Sequence, residues 1–223
     1  MTGARGGATR ITTPSARQGF RIDNVVTHGT FSLDGGTWEV DNNVYVVGDD
    51  RDCLIVDAAH DADAIMAAVG DRTVGGIVLT HGHDDHINVA DELARRTGAP
   101  RLLHPEDTVL WQMVYTGVPE GWLADGQTVE VAGVPWHILL TPGHSPGGVC
   151  LYAPDLGAVL SGDTLFSGGP GATGRSFSSF DQIVHSIRTR LLPLPADTIV
   201  LTGHGEATTI GAEAAASDGW AAG

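Results

Sequence analysis

The apolar positions of this chain come in short runs, separated by glycine, proline and acidic residues, and the runs follow two periods. GTWEVDNNVYVV, residues 36–47, alternates loosely and predicts strand structure. CLIVDA (53–58) is a continuous apolar run ending on Asp57, as expected of a strand buried on both faces. HDADAIMAAVG (60–70) predicts a helix stopped by Gly70. VGGIVLT (74–80) is another strand, and INVADELARRTGA (87–99) carries Val89 and Leu93 at helical spacing. The second half repeats the alternation. TVEVA (128–132), WHILLTPG (136–143), GVCLYAP (148–154) and GAVLSGD (157–163) predict strands, DQIVHSIRTRLL (181–192) a helix, and TIVLTGHG (198–205) a last strand. Strand-rich halves with helices in both predict an α/β (α+β) fold of two sheets covered by helices on their outer faces. No repeat or low-complexity linker divides it, so residues 20–223 are expected to form one domain. Residues 1–19 carry arginines but no apolar core segment, and are expected to be a flexible leader, not a secretory signal.

In α/β architectures, sites gather at the C-terminal ends of strands. Here five apolar runs stop on a histidine or an aspartate. The run at 74–80 opens into His81, His83, Asp84, Asp85 and His86; the others lead to Asp57, His144, Asp163 and His204. Imidazole and carboxylate are the usual ligands of zinc and its neighbours. His81 and His83 can chelate one ion, and Asp85 and His86 can turn toward a second. His144 and His204 can complete one site each, and Asp163 can bridge through its two oxygens. Clustered histidines without partners would lose their hydration for nothing. A purely structural ion suits the pattern poorly, because such sites are usually closed and cysteine-rich. Asp57 either caps the following helix or holds a metal-bound imidazole in orientation. His28, His60, His104, His137 and His185 read as surface or internally satisfied residues.

Composition narrows the partners. Of 223 residues 42% are hydrophobic, and no apolar run approaches the ~20 residues that span a bilayer, so a membrane role is not expected. The formal charge of −15 repels phosphate backbones and argues against nucleic acid, leaving a small-molecule substrate as the expected partner. Cys53 and Cys150 lie inside apolar runs and read as buried thiols of a reducing cytoplasm.

HGHDDH (81–86), followed by TPGHSPG around His144, SGDTLF around Asp163 and TGHG around His204, resembles the signature of the metallo-β-lactamase superfamily in order and spacing. The likeness runs over roughly residues 36–210. It implies a four-layer αββα sandwich, with His81, His83 and His144 on one divalent cation, Asp85, His86 and His204 on a second, and Asp163 between them. Zinc is the expected metal, with iron the alternative. An aspartate at the bridging position, and GATGRSFSSF (171–180) after it, look like the glyoxalase II branch, whose members hydrolyse thioesters of small thiols. That likeness suggests Phe166, Arg175 and Ser176 as substrate contacts, Arg175 meeting a substrate anion or pinning its loop by a salt bridge. The glycine-rich Gly168–Gly171 loop is also expected to let substrate approach closely. The segment after His204 carries no Lys or Arg, so a glutathione carrier would be recognised differently than in full-length glyoxalase II, and a mycothiol-type carrier is a further candidate. A cation pair lowers the pKa of water from ~15.7 to about 7. With Asp57 holding the site and Asp85 orienting the nucleophile, and no other strong acid, leaving groups that depart as stable anions are favoured. The resemblance leaves three other possibilities: a mononuclear iron persulfide dioxygenase using His81, His144 and Asp163, a lactonase or β-lactamase-like hydrolase, or a non-catalytic metal-binding module.

Overall fold

The computed structural model describes residues 7–15 and 17–220. One sheet holds, in spatial order, β1 (Thr9–Ile11), β2 (Arg21–Leu33), β3 (Gly36–Gly48), β4 (Asp52–Val56), β5 (Thr73–Val78), β6 (Arg101–Leu103) and β7 (Gly121–Trp122). Pairing is antiparallel from β1 to β4 and parallel from β4 to β7. Helices α1 (Ala62–Val69), α2 (Asp84–Ile87), α3 (Ala90–Thr97) and α4 (Thr108–Val114) belong to this half. The second sheet is built from β8 (Thr128–Val131), β9 (Val134–Leu140), β10 (Val149–Ala153) and β11 (Ala158–Gly162). A small hairpin, β12 (Leu165–Phe166) and β13 (Gly169–Pro170), and helix α5 (Phe180–Ser186) precede β14 (Ile199–Thr202), β15 (Thr208–Thr209) and α6 (Ile210–Ala216). The sheet order is β15-β14-β11-β10-β9-β8, with β14 parallel to β11.

The continuous apolar runs explain the layering, since successive side chains point to opposite faces and both faces are covered. Val44, Val46, Cys53 and Ile55 pack outward with Ile65 of α1 and Leu93 of α3. Their neighbours Tyr45, Val47, Leu54 and Val56 point inward and meet Trp136, Ile138, Leu151 and Leu160 of the other sheet. Cys150, Val159 and Val200 face outward again, against Ile183 of α5 and Ile210 of α6. Three apolar seams hold four layers, the αββα sandwich. Each fully buried aliphatic side chain in them contributes about 1.5–3 kcal/mol.

Several expectations meet their elements with shifted ends. The helix expected at 60–70 is α1, capped by Asp61, whose side chain accepts from the Ala64 N–H at 2.9 Å. The helix expected at 181–192 is α5 followed by a wider turn over Ile187–Leu191, closed by the Leu192 N–H on the Ile187 carbonyl at 2.9 Å. The leader needs correction. Residues 1–6 and 16 lie outside the described residues, but Thr9–Ile11 pair with β2 and Ile11 packs at the edge of the inter-sheet core. Among the elements not anticipated are β2 and α4. In β2 the polar Asp23 interrupts the alternation, yet it is buried and satisfied by Arg21 at 2.9 Å and Arg72 at 3.1 Å. In α4 only Leu110 and Trp111 are buried while Val109 and Met113 are exposed, so it lacks a helical apolar stripe. No helix of the described residues is long and apolar enough to cross a membrane.

Candidate metal centre

The five strand ends converge on one edge of the sandwich. β4 delivers Asp57, β5 delivers the turn from Thr80 to His86, and β9, β11 and β14 lead to His144, Asp163 and His204. Three overlapping sets of donor atoms result: His81, His83 and His144; Asp85, His86 and His204; and His81, His86 and Asp163, the atoms of each set lying within 4.8 Å of one another. His83 Nδ1 is 3.1 Å from His81 Nε2 and 2.9 Å from His144 Nε2. His86 Nε2 is 3.2 Å from His204 Nε2, and Asp85 Oδ2 lies 3.4 Å from His204 and 3.5 Å from His86. Nitrogens at 2.0–2.1 Å from a tetrahedral zinc stand about 3.3 Å apart, close to these spacings. Asp163 reaches both sets, with His144 at 3.5 Å and His204 at 3.2 Å from Oδ2. Its Oδ1 is buried without a hydrogen-bond partner, 3.4 Å from His86 Nε2. A buried orphan carboxylate oxygen among converging imidazoles is costly unless a cation meets it, so the donor set fits metal.

The far side of each ring fixes which nitrogen is free. His86 Nδ1 donates to the Asp57 carboxylate at 2.9 Å, His144 Nδ1 to the Ala172 carbonyl at 2.8 Å and His204 Nδ1 to the Asp41 carbonyl at 2.7 Å. Thr80 Oγ1 donates to Asp57 at 2.9 Å, so it accepts from His81 Nδ1 at 3.0 Å. Each of these four rings therefore turns Nε2 toward the centre, the arrangement that orients metal-bound histidine. Asp57 is thus an anchor for His86 and, through Thr80, for His81; the cap on α1 is Asp61. It is buried and sits at a φ of 66°, a left-handed conformation rare outside glycine. Gly203 is required next to it all: a Cβ there would lie 2.1 Å from Asp163 Oδ1.

Electrostatics divides the donors. Burial and the neighbouring His144 push His83 down to about 3, and burial with His86 holds His81 well below the usual range. On the other side burial opposes the imidazolium, but the charges of Asp85, Asp163 and Asp57 outweigh it and raise His86 well above the usual range. His204 likewise overcomes its burial through Asp163 and Asp85 and reaches about 10. Burial would raise Asp85, yet His86 beside it and bonds from His204 and Asn42 hold it at about 2.

Above the donors lies a cavity of about 360 Å³, walled by Phe31, Val40, Phe166, Ala172 and Arg175. Arg175 is held by stacking, not by the ion pair expected as one option: its guanidinium lies 4.0 Å from the Trp38 ring centre and 5.4 Å from that of Phe31. Ser176 lies in a small recess beside the cavity, its backbone N–H on Asp34 at 2.9 Å. The Gly168–Gly171 loop does not line the cavity; Gly168, Pro170 and Gly171 face a separate cleft with Phe180 and Trp220. Two supports escaped the sequence reading. Asp107, fully buried, accepts from the Gly82 N–H and from Ser145 Oγ, both at 2.8 Å, and so ties the His81–His83 turn to the His144 loop. Asn42 Nδ2 donates to Asp85 Oδ2 at 3.0 Å. Neither lies near a motif in sequence, and a polar residue in a strand gives no signal of its own.

An αββα sandwich with this histidine–aspartate centre at its strand ends defines the class of metallo-hydrolases. Residues 37–204 match the family profile of the metallo-beta-lactamase superfamily, and the chain belongs to that family. It is 30% identical over 181 residues to the hydroxyacylglutathione hydrolase GloC of Haemophilus influenzae, covering 74% of this chain and 85% of that one. Among solved structures it is similar to the B3 metallo-beta-lactamase BLEG-1, with 30% identity, a TM-score of 0.71, and 83% and 95% of the two chains covered. A protein solved in a di-iron-bound form, TTHA1623, superposes with a TM-score of 0.69 at 31% identity over 78% of this chain and 93% of that one.

Proposed function

We propose that the protein is a dinuclear metal-dependent hydrolase of thioesters of a small thiol, with zinc the preferred metal. The observation that carries the reading is the complete set of seven donors, shared between two triads by one aspartate, at the floor of a small apolar cavity. A mononuclear iron dioxygenase would leave part of that set unused. The likeness to the Haemophilus hydroxyacylglutathione hydrolase supports the substrate class.

The residues fit as follows. His81, His83 and His144 would hold one cation, Asp85, His86 and His204 the other, and Asp163 both. Bound there, divalent ions polarise a carbonyl and bring the pKa of water to about 7. Asp85, held at about 2, stays ionised at neutral pH, so it orients an attacking water and does not donate protons. Asp57 fixes the rings of His86 and His81. Phe31 and Phe166 wall off solvent and face the acyl chain, and Arg175 brings positive charge to the wall. Of the titratable groups lining the cavity, His83, Asp85, His144, Asp163 and His204 belong to the donor set, which leaves only Asp41 and Arg175. An amide or lactam nitrogen needs a proton to leave, whereas a thiol, which ionises near pH ~8.5 in water, departs as its thiolate with little help.

The test is turnover without oxygen on acylated glutathione, coenzyme A and a mycothiol-like thiol, beside a chromogenic β-lactam. Thioester cleavage faster by orders of magnitude is expected. Preferential lactam cleavage would move the protein toward the activity of the BLEG-1 branch, and oxygen-dependent consumption of a persulfide would favour a dioxygenase.

A further inference from the structure

Behind the carboxylate-bearing triad runs a chain of hydrogen bonds whose direction is fixed at both ends. It begins at the backbone N–H of His60, which donates to Asn88 Oδ1 at 2.7 Å. A backbone N–H can only donate, so the Asn88 oxygen faces it and the Asn88 amide nitrogen is turned the other way. That nitrogen meets His60 Nδ1 at 2.9 Å. An amide NH2 donates, so Nδ1 must accept, and the proton of a neutral His60 sits on Nε2. Nε2 lies 2.9 Å from Asn42 Oδ1, which accepts. Asn42 Nδ2 then donates to Asp85 Oδ2 at 3.0 Å. Reversing Asn42 would set its oxygen against an ionised carboxylate, so the far end is fixed as well.

The place is built for this ring. Gly29 lies under it, and a Cβ there would stand 2.2 Å from His60 Nδ1. His60 keeps a φ of 57°, a sparsely populated conformation that persists where the surroundings hold it. Burial lowers its pKa, in keeping with a neutral ring.

We infer that His60 is a positioning residue: in its Nε2–H tautomer, locked by Asn88, it orients Asn42 so that the amide presents Asp85 to the cation held with His86 and His204. The inference rests on the two-cation reading and concerns that triad alone. His60 itself touches neither substrate nor metal. The network sets the rotamer of Asp85 and occupies one of its lone pairs, leaving the others for the cation or for water.

The experiment uses the whole 223-residue chain, free of metal. Nitrogen-15 spectra of the histidine rings at pH 7 should show His60 neutral with its proton on Nε2; a proton on Nδ1 or an imidazolium overturns the inference. Calorimetric titration with zinc alone then compares unmodified protein with H60A, N42A, the double variant and H60Q. H60A should weaken the ion at Asp85, His86 and His204 by about tenfold and leave the ion at His81, His83 and His144 unchanged. The double variant should be no weaker than N42A, because His60 acts through Asn42. H60Q, which keeps an amide donor near Nε2, should recover most of the loss. Equal weakening of both ions, or multiplying effects in the double variant, would mean a merely structural ring. Unmodified protein that binds two ions while H60A is indistinguishable from it defeats the inference alone; a single ion in unmodified protein defeats the two-cation reading together with it.

Discussion

The two triads differ more in charge than in shape. His81 and His83 are kept neutral by burial, so their lone pairs stand ready for a cation without a proton to expel. His86 and His204 sit among Asp85, Asp163 and Asp57, whose charges raise His86 well above the usual imidazole range and His204 to about 10. Protons therefore compete with a cation more strongly at His86 and His204 than at His81 and His83. Burial and neighbouring imidazoles lower His81 and His83, and carboxylate charges overrule burial at His86 and His204.

The sharpest way to break this comparison is to remove what the triads share. Asp163→Ala should lose both ions and lower thioester turnover well beyond the ~10–100-fold typical of residues one step removed from a metal. Retained metal and rate, by elemental analysis and assay, would show that Asp163 bridges nothing. Next in size, His204→Ala should lose the ion of the carboxylate triad and keep the other, and His144→Ala the reverse. Equal losses in the two variants would merge the triads into one site.

Acidity should separate them without any mutation. Protons compete with the cation at groups whose metal-free pKa lies above the working pH, so affinity at the carboxylate triad should fall as pH drops and protons return to its raised imidazoles. His83, at about 3, binds protons poorly, so the imidazole triad should keep its ion to lower pH. Metal retained on dialysis between pH 8 and 5 checks this: simultaneous release of both ions would contradict it. The smallest effect concerns Asp57. Asp57→Asn tolerates the positive φ but cannot accept equally from His86, and should weaken the carboxylate triad about 10–100-fold. The imidazole triad should change less, since Thr80 stands between. Calorimetry resolves the split, and circular dichroism confirms the fold.

How legible the centre was follows from where its parts lie in the chain. His81 to His86 are contiguous, and His144, Asp163 and His204 each end an apolar run, so the ligands stood out as strand-end chemistry. The layers were legible for a related reason, because uninterrupted runs such as CLIV and AVL belong to strands covered on both faces. Supports were not legible. Asp107 meets Gly82 and Ser145, residues 25 and 38 positions away, and only the fold brings them together. Asn42 and His60 were ordinary polar residues until β3 and the loop before α1 stacked them behind Asp85. Arg175 was singled out, but its stacking on Trp38 depends on a β2–β3 hairpin whose first strand the alternation concealed.

The most direct measurement is calorimetric titration of metal-free protein with zinc at pH 7 in buffers of different ionisation enthalpy, which counts ions and released protons together. Two equivalents are expected, the ion at Asp85, His86 and His204 releasing more protons than the ion at His81, His83 and His144. A single equivalent, or two that release the same number of protons, would contradict two unlike triads joined by Asp163.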